Sequence, residues 1–130
     1  MTGDLKERIY VSSKIWYVQK WLNLRDIEKW PIISTWIDES NPGDISDFSD
    51  AWYRYINEVR TASGLILFSS KKGETLKGSL VETGAALGTN IPVAIVGTID
   101  GMKTAKYHPL VGNFTSLNEA RRWLYSFIVT

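Results

Sequence analysis

The stretch Leu65-Ile-Leu-Phe-Ser-Ser-Lys-Lys-Gly-Glu-Thr-Leu-Lys-Gly-Ser-Leu-Val-Glu-Thr-Gly-Ala-Ala-Leu-Gly-Thr-Asn-Ile-Pro-Val-Ala-Ile-Val96 decides the fold. Its two ends are nearly continuous apolar runs of strand length, the pattern of strands covered on both faces. Between them a polar loop leads into a helical segment. Strand, helical crossover and strand form the unit of a parallel sheet, because parallel strands need a dozen or more residues between them. Working outward, Ile9-Tyr-Val11 and Ile32-Ile33 through Trp36-Ile37 read as two earlier buried strands, and a short fifth lies near Val111 to Phe114. Val18, Trp21 and Leu22 recur at helical spacing, as do Phe48, Trp52, Ile56 and Val59, and again Ala120, Trp123, Leu124, Phe127 and Ile128. This alternation predicts an α/β fold: a flavodoxin-like, doubly wound five-stranded parallel sheet with helices on both faces.

At 130 residues the chain has the length of one domain, spanning 1–130. Pro31, Pro42-Gly43, Gly73, Pro92 and Gly112 punctuate it without dividing it. Fifteen Lys and Arg against 14 Asp and Glu leave a formal charge of +1, too little to hold duplex nucleic acid or an anionic membrane at long range. The absence of cysteine removes disulfides, thiolate nucleophiles and Cys-based metal sites, and a single histidine argues against a His-ligated zinc. No metal and no cofactor are expected. The opening Met1-Thr-Gly-Asp-Leu-Lys-Glu-Arg8 is too polar for a signal peptide, and no apolar run has membrane-spanning length, so a cytoplasmic protein is expected. Chemistry must rest on carboxylates, hydroxyls and lysines.

In open parallel sheets ligands lie beyond the carboxyl ends of the strands. That draws attention to residues 12–14, 38–44, 69–79 and 97 onward, and above all to Lys77-Gly-Ser-Leu-Val-Glu-Thr-Gly-Ala-Ala-Leu-Gly88. Two readings of it stand. Ser79 with Glu82 has the spacing of a capping box, in which serine and glutamate satisfy orphan backbone donors. Ser116-Leu-Asn-Glu119 has the same spacing ahead of the last helix and serves as an internal control. What sets the first segment apart is its setting: Gly78 and Gly84 permit close approach, Ala85-Ala86 lets the helix press on the sheet, and Glu82 then faces the ligand crevice. Spacing alone does not choose between cap and site.

Gly78-Ser-Leu-Val-Glu-Thr-Gly84 resembles the Gly-(Thr/Val/Ser)-x-x-Glu-x-Gly signature of the nucleoside 2-deoxyribosyltransferase family, which includes 2'-deoxynucleoside 5'-phosphate N-glycosidases. Ile9-Tyr-Val-Ser-Ser13 is similar to that family's first strand and sugar-side loop. Ala62-Ser-Gly-Leu-Ile-Leu67, Ile91-Pro-Val-Ala-Ile-Val-Gly97 and the segment from His108 to Ala120 resemble its later strands and last helix. The resemblance implies that Glu82 is a carboxylate nucleophile attacking C1' of a deoxyribose. A glycosyl-enzyme then forms and is resolved by water or by a second base, as in retaining glycosidases. It also implies a small nucleoside or nucleotide as ligand, and a homo-oligomer, dimer or larger, in which a neighbour closes the pocket.

A second acid is harder to find. The family's helical aspartate corresponds by counting to Tyr55, with Glu58 and Asp50 as substitutes a turn away; the aspartate shortly before the nucleophile is replaced by the neighbourhood of Glu74 and Thr75. Glu58 and Asp50 read equally as solvated helix charges. Asp38, ending the second predicted strand, is the preferred acid or base-recognition carboxylate, or else a turn residue before Pro42-Gly43. Trp36 offers a stacking surface for a nucleobase, whereas Trp21, Trp52 and Trp123 lie on helical stripes and read as core. Ser12, Ser13 and Lys14 could hold sugar hydroxyls or a 5'-phosphate, with Gly78 and Ser79 opposite; Ser13 also reads as an N-cap and Lys14 as a solvated cation. Leu76 replaces the serine of nucleotide-specific members, although Lys71, Lys72 and Lys77 surround the loop, so nucleoside and nucleotide both stand. His108 reads as a loop residue, and the 69–78 loop lacks Walker spacing. The expected function is base transfer or hydrolysis at an N-glycosidic bond; the alternative is a non-catalytic nucleotide-binding or nucleotide-sensing module using the same crevice.

Overall fold

A computed structural model describes residues 6–71 and 74–128. Lys72, Gly73 and the first residues quoted above lie outside the described residues, as do the side chains of Thr75 and Lys77. The elements run β1 (Ile9–Ser12), α1 (Val18–Asp26), α2 (Phe48–Thr61), β2 (Gly64–Phe68), β3 (Glu74–Thr75), α3 (Lys77–Gly88), β4 (Val93–Val96), β5 (Ile99–Asp100), β6 (Val111–Phe114) and α4 (Leu117–Tyr125). Single 3-10 turns occur at Ile15–Tyr17, Thr35–Asp38 and Ala105–Tyr107.

The main sheet has four parallel strands in the order β1-β2-β4-β6. Tyr10 lies opposite Leu65 and Ile66 opposite Ala94. Strand side chains alternate between two layers. Ile9, Val11, Ile66, Phe68, Ala94 and Val96 pack with Trp21 and Leu24 of α1 and Ala120 and Leu124 of α4. Tyr10, Leu65, Leu67, Val93 and Ile95 pack with Val59 of α2 and Ala86 of α3. Every residue of β1, β2 and β4 is buried, which explains why their sequences show no polar alternation. Truncating a central residue such as Ile66 to Ala costs about 2–5 kcal/mol on this account.

The second predicted strand does not form. Ile32 makes one parallel bridge to Ile9, and the chain then tightens into the Thr35–Asp38 turn. The reason is visible on the outer edge of β1. The Ile9 N–H donates to the Pro31 carbonyl and the Ile33 N–H to the Ile9 carbonyl, as a strand would arrange them. At Val11, side chains take over: its N–H donates to Ser34 Oγ at 2.7 Å and its carbonyl accepts from Trp36 Nε1 at 2.7 Å. The edge of β1 is satisfied without a continued ladder.

A two-residue parallel ladder, β3 with β5, lies beside the main sheet and was not anticipated. It follows the turn at Gly97, whose φ of +96° only glycine adopts readily, and a Cβ there would fall 2.0 Å from the Ser69 carbonyl oxygen. The tips of β2 and β4 are thereby held close. Among the described residues no helix is long and apolar enough to cross a membrane, and no group of three His, Cys, Asp or Glu side chains could hold a metal.

In α2, capped by Asp47 through the N–H groups of Ser49 and Asp50, Ala51 and Val59 are the buried residues. Phe48 and Trp52 are exposed, at 68% and 48%. The stripe read as core packing is therefore split, and Trp52 is not a core anchor; Trp21, fully buried, is one.

Candidate active site

Helix α3 starts at Lys77 with Leu76 as N-cap, and its cap makes no side-chain hydrogen bond. The first bond of the turn runs from the Leu80 N–H to the Leu76 carbonyl. Ser79 therefore lies inside the helix and Glu82 in its second turn, so the capping-box reading fails here. Both side chains face β1 instead. Tyr10 and Ser12, two residues apart on one strand, project to the same face. Tyr10 Oη donates to Glu82 Oε2, and Ser12 Oγ donates to Glu82 Oε1 at 2.6 Å. Ser12 and Ser79 also share a hydrogen bond; with Ser12's single proton given to Glu82, Ser79 is its donor.

Glu82 is 9% exposed. Burial lifts its carboxyl above the ordinary value of 4.5, the hydrogen bonds from Ser12 and Tyr10 oppose that rise, and the Glu58 charge adds to it. The Tyr10 phenol is raised as well, by burial first and by Glu82 second, so it remains a donor.

The carboxyl reaches a cavity of about 710 Å³, within the range of small-molecule sites. Its polar lining includes Ser12, Ser79 and Glu82, together with Gly78 and Leu76. Its aromatic lining includes Trp36, Phe48, Trp52 and Tyr55. Lys14, half-buried, and Trp16, exposed, also belong to the lining, and the ammonium groups of Lys14 and Lys71 lie 5.7 and 5.6 Å from the Trp16 ring centroid.

Most of the anticipated residues converge here. Ser12, Ser13, Lys14, Trp36, Gly78, Ser79 and Glu82 all line the cavity. The Ser13 hydroxyl is spent internally, donating to the Lys14 carbonyl and accepting from Trp21 Nε1 at 2.8 Å. Trp36 has its indole N–H fixed on Val11, so the ring offers the cavity apolar surface. Asp38 does not belong to the lining: Arg25 grips both its oxygens, at 2.7 and 3.0 Å, on the exposed side of the 3-10 turn. Glu58 is half-buried behind the wall, accepting from the Thr35 N–H at 3.1 Å and hydroxyl at 2.7 Å, and burial raises its carboxyl. Asp50 is exposed beside Arg54. Gly84 is exposed and, unlike Gly78, lies outside the lining.

Glu74 is buried outside the lining and accepts from the hydroxyls of Ser69 and Tyr17, which ties the 69–74 loop to the turn carrying Trp16. His108 is exposed, with Nδ1 accepting from the Leu110 N–H.

Sequence reasoning missed four participants. Tyr10 was read only as strand filling, although its position two residues before Ser12 places it on the same face. Phe48 and Trp52 were read as core, because a cavity wall and a core stripe share one periodicity. Tyr55 was noted only as the position lacking an aspartate; it lines the cavity, and its hydroxyl donates to Glu39 at 2.7 Å. Compared with known proteins, the chain matches no protein-family model and no curated sequence.

Proposed function

We propose that this protein is an N-glycosidic-bond enzyme of the cytoplasm that acts on deoxyribonucleosides or their 5'-monophosphates, with Glu82 as nucleophile. The observation that carries this reading is the placement of the Glu82 carboxyl on a cavity wall, away from its own helix terminus. The same cavity has the flat aromatic surface on which a base stacks, with Trp36 and Trp52 in the lining. In the forward step the ionised carboxylate attacks the anomeric carbon and the bond to the base nitrogen breaks, the electron pair leaving with the base. Ser12 and Tyr10 hold the carboxylate against the desolvation that opposes its charge. Water then gives hydrolysis and a second base gives transfer.

Architecture accords with the resemblance to the deoxyribosyltransferase family. With Ile32 bridged to the outer side of β1, the sheet reads as a flavodoxin-like order whose second strand has shrunk to one residue pair. Phe48, Trp52 and Tyr53, exposed along α2 beside the cavity, suit a homo-oligomer whose neighbour covers the opening.

A non-catalytic nucleotide-binding module is the second reading. It is favoured by one observation: Glu82 is the only carboxylate in the lining among the described residues, so no second carboxyl stands ready to protonate the departing base. Incubation with deoxyribonucleosides and their 5'-monophosphates, with and without free base, separates the two. Glu82-dependent base release or exchange supports the enzyme; saturable binding with no release, in wild type and Glu82→Gln alike, supports the module.

A further inference from the structure

We propose that Tyr55 reads the base as a hydrogen-bond acceptor and selects bases carrying an exocyclic amino group over their oxo counterparts, an inference that rests on the N-glycosidic reading of the cavity. Phe48, Ala51, Trp52 and Tyr55 fall at i, i+3, i+4 and i+7, so one stripe of α2 forms the wall. Among its aromatic members exposure falls from Phe48 at 68% through Trp52 at 48% to the half-buried Tyr55, with Ala51 buried between the first two. Tyr55 thus supplies a polar tip at the sheltered end of an apolar stripe. The Trp36 indole cannot serve that purpose, since its N–H is held by the Val11 carbonyl.

A phenol has one proton to give. Tyr55 gives it to Glu39 Oε1 at 2.7 Å. Glu39 is gripped through both oxygens by Arg54, at 2.8 and 2.9 Å, and this ion pair holds its carboxyl below the ordinary range. Turning the Tyr55 proton toward a ligand would abandon a charge-assisted bond to an ionised carboxylate. Whatever the Tyr55 phenol oxygen offers the cavity that this residue lines is therefore lone pairs. We place the base along the aromatic lining with its sugar at Glu82 and its polar edge at Tyr55. There an amino group completes a hydrogen bond, and an oxo group meets a like partial charge.

The pairs deoxyadenosine against deoxyinosine and deoxycytidine against deoxyuridine, with their 5'-monophosphates, exchange the amino group for an oxo group, and the adjacent ring nitrogen from acceptor to N–H, with little change of shape. Their binding is measured calorimetrically on Glu82→Gln, so that turnover does not interfere, and again with Tyr55→Phe or Glu39→Gln added. The expected result is that the amino member of a pair binds at least about fivefold tighter. Tyr55→Phe should bring the ratio close to one, and Glu39→Gln, which replaces the ionised acceptor by a neutral amide and loosens its hold on the Tyr55 proton, should shift it toward the oxo member. Equal or inverted affinities in the Glu82→Gln background, or a ratio unmoved by both added substitutions, overturn the assignment of Tyr55. If wild type still releases base in a Glu82-dependent way, that failure is confined to Tyr55. If no ligand binds and none is turned over, the N-glycosidic reading falls with it.

Discussion

Ser79 with Glu82 and Ser116 with Glu119 have identical spacing, and the protein uses them oppositely. Ser116 lies just outside α4 in extended conformation, its Oγ accepts from the Glu119 N–H at 3.1 Å, and Glu119 accepts in turn from the hydroxyls of Thr115 and Ser116. Both side chains serve the helix end, in contact with solvent. Ser79 and Glu82 lie three residues further into their helix, because α3 begins at Lys77, and they turn to Tyr10 and Ser12 across a buried interface. A cap satisfies its helix at no desolvation cost to its carboxylate. Glu82, in contrast, is lifted by burial, which weakens the fold at neutral pH and suits a group kept for chemistry.

The largest effect that can break this contrast is on turnover. Glu82→Gln should lower base release by about 10³-fold or more while circular dichroism stays native. Glu119→Gln should leave release unchanged. Next in size, Tyr10→Phe leaves a buried Glu82 oxygen without its donor and should cost about 1–3 kcal/mol in denaturant unfolding. The same change should move the acidic limb of the pH–rate profile upward, since a hydrogen bond favouring the charged form is gone.

The pH dependence of stability sharpens the comparison further. Because the folded-state value of Glu82 is raised, its protonated form is favoured in the fold. That contribution is full below about 4.5, the unfolded value, and is lost as pH rises through the elevated folded value. Glu82→Gln does not titrate. Its melting temperature should therefore gain on wild type as the pH rises from 4 toward 8. A smaller effect is expected at the true cap: Ser116→Ala should lose about 0.5–2 kcal/mol of stability with turnover intact. Smallest of all, Asp38→Asn removes an exposed ion pair and should change stability by less than about 1 kcal/mol.

The four-strand sheet was legible because buried parallel strands leave continuous apolar runs, and Leu65-Ile-Leu-Phe68 and Val93-Ala-Ile-Val96 are such runs. The failed strand at Ile32 was not, since Ser34 and Trp36 replace its ladder by side-chain bonds that no periodicity encodes. At the site, the glycine-framed Glu82 segment was legible, as were Ser12 and Lys14. Whether Ser79 caps was not, because the answer depends on where the first helical bond closes, at Leu76. Asp38 was misplaced for a related reason: its expected position assumed a strand end at the ligand edge, and the chain forms a turn that hands Asp38 to Arg25.

The most direct test is to quench wild-type protein during reaction with a deoxyribonucleoside or its 5'-monophosphate, digest it, and weigh the peptides. A deoxyribosyl or deoxyribosyl-phosphate adduct on the peptide carrying Glu82, absent from Glu82→Gln, is the predicted result. Base release by Glu82→Gln at the wild-type rate, or an adduct on another residue, would contradict the account.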